Sequence, residues 1–330
     1  MCMNNNFPVN DRGAAISMIG AMLVLGFTDN FIVFIAEVVS LWQFQIIRAI
    51  IALPLIACIA YFWKITIWPK RNWAVAFRSL LLTIAMIFYF WSLAFIPMAQ
   101  ALAGLFTSPI FILLISGLIL RQSISIIQII AVLIGFIGII LVVDTQISDL
   151  TFLSFLPVLG GLFYAMAAVA TRQLCEGETT LSLLASIMIM QSFVGICALF
   201  VITWVNPDVA NGPAGFIIRG WVWNIGTIMP WIILQAIGAI LGIGLIFRAY
   251  QIGQASQVAV FEYSALIFGP FFAWVLIGQQ VNLTQILGIV FITIAGSLIA
   301  LRSLKKDIEK YSSQGDSNLL KVKQKLRIGW

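Results

Sequence analysis

The chain has 330 residues, of which 62% are hydrophobic and only 9% charged, and its mean hydropathy is +1.08. A soluble domain of that length needs far more charge to cover its surface, so the composition describes an all-α integral membrane protein and excludes a soluble enzyme. The net charge of +6 is what cytoplasmic loops of a membrane protein supply and needs no nucleic-acid partner. Histidine is absent, which removes His metal sites, His bases and His proton switches. Cys2, Cys58, Cys175 and Cys197 show no metal spacing and no CxxC, so they read as unpaired. No cofactor or metal is expected.

Ten apolar runs follow in order, about 14–36, 41–63, 73–95, 98–120, 125–143, 152–171, 181–204, 229–250, 255–277 and 283–301. Each is close to the roughly 20 residues that cross a bilayer. The first carries Asp29 and Asn30 and is too long for a secretory signal, so it reads as a helix of the mature protein. The one long connection, 205–228, is rich in Asn, Gly, Pro and Trp.

Basic residues set the orientation. With ten helices and the N-terminus inside, Arg12, Lys64, Lys70, Arg71, Arg78, Arg121, Arg172, Arg248 and eight residues from Arg302 to Arg327 fall inside, 16 in all. Arg219 alone falls outside, and Arg48 lies within a helix. Residues 1–13 therefore form a cytoplasmic N-terminus and 303–330 a basic cytoplasmic tail, as expected for a multi-pass protein of the bacterial cytoplasmic membrane.

Charges inside the runs mark candidate functional positions. Asp29 and Arg48 are each seven residues from the outer end of a helix, about 10 Å deep at 1.5 Å per residue. Equal depth and opposite sign suggest a pair. Two readings stand: a structural ion pair, or the outer half of a binding site in which Arg48 holds a substrate carboxylate and Asn30 and Gln45 add hydrogen bonds. Glu262 lies in the ninth run, about 10 Å from the inner side, where a carboxylate can carry a proton or meet a cationic group. Arg248 is its nearest basic residue by this reading. Ala255, Ala259, Leu266, Gly269 and Ala273 share its helix side and suit close packing or a cavity wall. Tyr89, Tyr164 and Tyr263, with Gln100, Gln191, Gln235 and Gln257, could line a cavity or orient a ligand, although aromatics within helices more often pack. Gly238, Gly242 and Gly244 follow Gln235 and favour tight helix contacts.

Gln128-Ile129-Ile130-Ala131 matches Gln285-Ile286-Leu287-Gly288, and Met98-Ala99-Gln100-Ala101 matches Gly253-Gln254-Ala255-Ser256. The chain thus divides into two five-helix halves, 14–145 and 146–302. Five is odd, so the halves lie in opposite orientations, the architecture of alternating-access transporters.

With Gln43-Phe44-Gln45-Ile46-Ile47-Arg48-Ala49, Phe163-Tyr164-Ala165 followed by Thr171-Arg172, and Glu262-Tyr263, the chain resembles the EamA family of the drug/metabolite transporter superfamily. The resemblance covers residues 14–301. It implies secondary transport of a small organic metabolite such as an amino acid, amine or drug-like compound; protons, carried by Glu262, are one candidate coupling ion. Export is the first reading; uptake of a cofactor-like compound such as S-adenosylmethionine or riboflavin is the alternative. Two departures stand out. Arg121-Gln122 and Gly278-Gln279 occupy positions where many members carry Gly-Glu, and Tyr263-Ser264 replaces a proline common after the ninth-helix acid. A non-transporting scaffold or sensor would not need Asp29, Arg48 and Glu262 within helices. An intramembrane enzyme would need a nucleophile and base that the residues do not supply.

Overall fold

The computed structural model describes residues 11–118, 126–143, 152–175, 177–252, 261–295 and 297–298. Among these residues the regular structure is helical, without strands. The helices are α1 (Asp11–Thr28), α2 (Ile32–Val38), α3 (Leu41–Trp63), α4 (Asn72–Leu93), α5 (Met98–Leu105), α6 (Ser108–Leu118), α7 (Ile126–Val143), α8 (Phe152–Leu174), α9 (Thr180–Val205), α10 (Met229–Ile252), α11 (Ala265–Ile277) and α12 (Leu283–Ala295). Among the described residues five stretches are long and apolar enough to cross a membrane: Gly13–Val38, Leu41–Trp63, Asn72–Leu93, Thr180–Val205 and Met229–Ile246. The other apolar helices are shorter.

Three runs that read as continuous helices are interrupted. The first breaks into a 3-10 turn at Asp29–Phe31, the fourth at 106–107 and the ninth at 263–264. Each break has a polar side chain bonded to a backbone carbonyl one turn back. Asn30 Nδ2 donates to the Gly26 carbonyl (2.6 Å), Thr107 Oγ1 to Gly104 (2.7 Å) and Ser264 Oγ to Phe261 (2.6 Å). Such bonds compete with the helical ladder. At the second break Pro109 also lacks the N–H that would have closed on Leu105.

The helices pack in antiparallel pairs. Gly238 and Gly242 of α10 face Thr28 and Leu25 of α1, and α10 can come this close because neither has a Cβ, which would meet the α1 side chain. Gly160 of α8 lies against Ala85 and Phe88 of α4, while Thr171 reaches back to Arg78. Gly195 of α9 abuts Trp42 and Ile46 of α3, and Thr179, before α9, donates to the Thr66 carbonyl beyond the end of α3 (2.7 Å). Gly138 of α7 meets Gly288 and Ile292 of α12, and Gly269 of α11 meets Leu102 and Met98 of α5. Small residues let backbones approach, which is how helices associate where lipid removes the hydrophobic drive.

α3 and α9 share the same punctuation. Ser40 and Thr179 cap them by accepting from the Gln43 and Ser182 amides, and both end on a left-handed residue, Lys64 and Asn206. After α9, residues 206–228 fold over the start of α3. Arg219 donates to the carbonyls of Ala36 (3.0 Å), Val39 (3.2 Å) and Gly212 (2.6 Å). Partial burial lowers its pKa and the Glu37 charge raises it. Gln43 pairs with the backbone of Val222 in both directions, at 2.7 and 2.9 Å, Trp42 Nε1 donates to Ile217 (2.6 Å), and Phe216 is fully buried.

Candidate functional site

Two turns into α3, Arg48 is 3% exposed. A buried guanidinium is costly unless its hydrogens find acceptors, and three helices supply acceptors for three of its five. Nη2 donates to Gln45 Oε1 (2.5 Å) on its own helix and to Gln191 Oε1 (2.6 Å) on α9; Nη1 donates to Gln235 Oε1 (3.2 Å) on α10. The Phe44 and Phe90 rings lie 5.0 Å from its carbon, close enough for cation–π attraction.

Gln235 is the pivot. Its Nε2 donates to Asp29 Oδ1 (3.0 Å), while Tyr89 Oη from α4 donates to Oδ2 (3.0 Å). The predicted Asp29–Arg48 pair is thus linked through a neutral amide. The 3-10 turn after α1 places Asp29 there half-buried, and Tyr89 and Gln235 are buried. The network joins α3, α4, α9, α10 and the α1–α2 turn. It offers one cation, one anion and amides that can donate or accept, which suits a zwitterionic or charged small ligand.

The other predicted residues divide. Asn30 does not join the network: its amide clamps Gly26 and, at 3.3 Å, the Gly269 carbonyl of α11. It holds two broken segments together. Glu262 is half-buried, one residue before the third break, and its charge acts on Tyr164 of α8 and on Tyr263. Tyr164 in turn feels Arg78, which donates to Thr171 Oγ1 (3.0 Å) and the Leu183 carbonyl (3.3 Å). Arg248 is exposed. Tyr263 is buried, its ring 5.5 Å from Phe106, so the breaks of the fourth and ninth runs touch. Gln100 is half-buried on α5. Gln257 and the predicted motif at Arg121-Gln122 lie outside the described residues. Gln279 accepts from the Met98 amide (3.1 Å) and caps α5. Among the described residues no cluster of His, Cys, Asp and Glu could hold a metal.

Sequence reasoning placed Arg78 at the inner membrane edge, yet it lies half-buried on α4. Its position five residues inside the apolar run was the available signal.

Apolar helices packed around buried charge define a multi-pass membrane protein of transporter type. The chain belongs to the EamA-like transporter family, which matches residues 12–144 and again 151–301. It is 26% identical over 237 residues to an uncharacterized transporter of Helicobacter pylori, covering 72% of this chain and 76% of that one. It is 25% identical over 204 residues to a riboflavin transporter of Vibrio cholerae, with 61% and 62% covered. The pseudopaline exporter CntI of Pseudomonas aeruginosa is 26% identical over 232 residues, with 69% and 74% covered. A solved crystal structure shares the fold at a TM-score of 0.60 and 14% identity, over 88% of this chain and 96% of that one. Its relatives make this chain a transporter of small molecules in a membrane.

Proposed function

We propose that the chain is a secondary transporter of the bacterial cytoplasmic membrane that exports a small organic metabolite by alternating access. Ten helices form two inverted halves, 14–145 and 146–302, with both termini cytoplasmic. The observation that carries this is the Asp29–Gln235–Arg48–Gln191 chain of hydrogen bonds, which crosses between the halves. Buried charge is costly in a membrane and persists where it serves passage.

The helix pairing supports the inverted repeat. Numbering the runs one to ten, the pairs are one with eight, three with six, two with seven, four with nine and five with ten. Exchanging the halves turns the first pair into the second and leaves the other three unchanged. Such an arrangement lets one half rock on the other around a central site. In this reading Arg48 and Asp29 hold the substrate from the outer side, and Glu262, beside Tyr164 and Tyr263, carries the coupling proton. Export follows the pseudopaline relative; the riboflavin relative favours a second reading, movement of a cofactor-like compound.

The test is metabolite profiling inside and outside cells expressing wild type, Glu262→Gln or Arg48→Gln at matched levels. The wild type should redistribute a compound that both variants leave in place. Equal redistribution by all three would make these residues structural and refute the mechanism. No redistribution by well-expressed wild type would refute transport.

A further inference from the structure

We infer that the transported compound carries a carboxylate, and that one of its oxygens is held by Arg48 Nε and Gln45 Nε2. This rests on the transport reading above and adds the substrate class. Arg48 has five guanidinium hydrogens. Nη2 places two on Gln45 and Gln191, and Nη1 places one on Gln235. Among the described residues Nε has no partner, nor does the Nε2 amide of Gln45. Gln45 is 2% exposed and Arg48 3%, so water outside the protein does not meet them. A buried donor left unmade costs more than a made bond returns, and two side by side are a site awaiting an acceptor.

The chemistry of that acceptor follows from what is vacant. Both orphan atoms are donors, and one belongs to a cation. Every acceptor oxygen of Gln45, Gln191, Gln235 and Asp29 already receives a hydrogen bond. An ammonium group would add donors to donors beside a positive charge. A carboxylate supplies acceptor oxygen and opposite sign, and charge-assisted bonds to it are roughly twice as strong as neutral ones. The two donors belong to side chains already joined through Arg48 Nη2 and Gln45 Oε1. Phe44 and Phe90 pack against the same guanidinium and give the rest of an amphipathic acid an apolar wall. Reaching the site requires α3 to part from α9 and α10, the movement that alternating access supplies.

The experiment uses the full chain reconstituted in lipid vesicles loaded with the aqueous metabolite extract of a bacterial host, with released compounds identified by mass spectrometry. Compounds released above empty-vesicle controls should carry a carboxylate. Gln45→Glu should cut their release at least tenfold, because the new side chain offers an acceptor to Arg48 in place of the substrate. That variant should keep or raise the melting temperature, which separates loss of binding from loss of fold. Release confined to compounds without a carboxylate would overturn the inference and leave transport standing. Wild-type release of acids by Gln45→Glu would overturn it as well. Release of nothing by folded protein would sink the transport reading and this inference with it.

Discussion

Replacing Gln235 by leucine keeps the size of the side chain and removes both of its polar ends. Arg48 Nη1 then loses its acceptor and Asp29 Oδ1 its donor, in a place where Arg48 and Gln235 are buried. If these were ordinary interhelical bonds, each would contribute about 0.6 kcal/mol, the average measured between membrane helices, and the pair about 1.2 kcal/mol. If they hold charges, each contributes roughly 1.5–3 kcal/mol, and the loss is about 3–6 kcal/mol. We expect the larger figure, since each bond ends on an ionisable group. The assay is reversible unfolding in mixed micelles of rising SDS fraction, with Gln191→Leu as the comparison. Gln191 makes one bond to Arg48 and should cost about half as much. A loss of about 1 kcal/mol or less for Gln235→Leu would refute the reasoning: the charges would then be satisfied without the glutamine.

Removing Asp29 alone, as Asp29→Leu, should destabilise the same unfolding equilibrium by about 3–5 kcal/mol by leaving a buried cation uncompensated; adding Arg48→Met should recover most of the loss, and no recovery would mean the two charges are not coupled. A Cβ at Gly138 would lie 2.8 Å from the Gly288 carbonyl and 2.9 Å from the Ile292 amide, backbone that has nowhere to go. Gly138→Ala should therefore cost about 1–3 kcal/mol through overpacking. Gly244 faces open space, so Gly244→Ala should gain up to about 1 kcal/mol of helix propensity; equal effects at the two sites would contradict the α7–α12 contact. Arg219→Ala removes three bonds to carbonyls and should speed protease cleavage within 206–228, while an unchanged cleavage rate would show that Gln43 and Trp42 hold the segment alone.

Much of this was legible because a membrane simplifies the code. A run of 23 apolar residues such as Leu41–Trp63 has one way to satisfy its backbone, as a helix, and counting along it put Arg48 and Asp29 at one depth. Counting cannot say which sides of two helices face each other, so the amide standing between those charges stayed hidden. Gln235, Gln191 and Gln45 were visible as polar residues in apolar runs but not as partners. The breaks were hidden for another reason. Hydropathy is blind to a single Asn, Thr or Ser turning its side chain onto a carbonyl one turn back, and such bonds accompany the breaks at Asn30, Thr107 and Ser264. Asn30 read as a ligand group because its bond to Gly269, 239 positions away, leaves no trace in local sequence.

The segment 206–228 has one more consequence. It is fastened to the first turn of α3 by Gln43, Trp42 and Leu41, and Arg48 rides on the same rigid rod two turns below. Any displacement of that rod must drag the segment with it. In the orientation proposed above the segment faces the cell exterior. If Arg48 binds substrate as proposed, a nanobody raised against the folded segment would grip an external handle on it and arrest the cycle without entering the membrane.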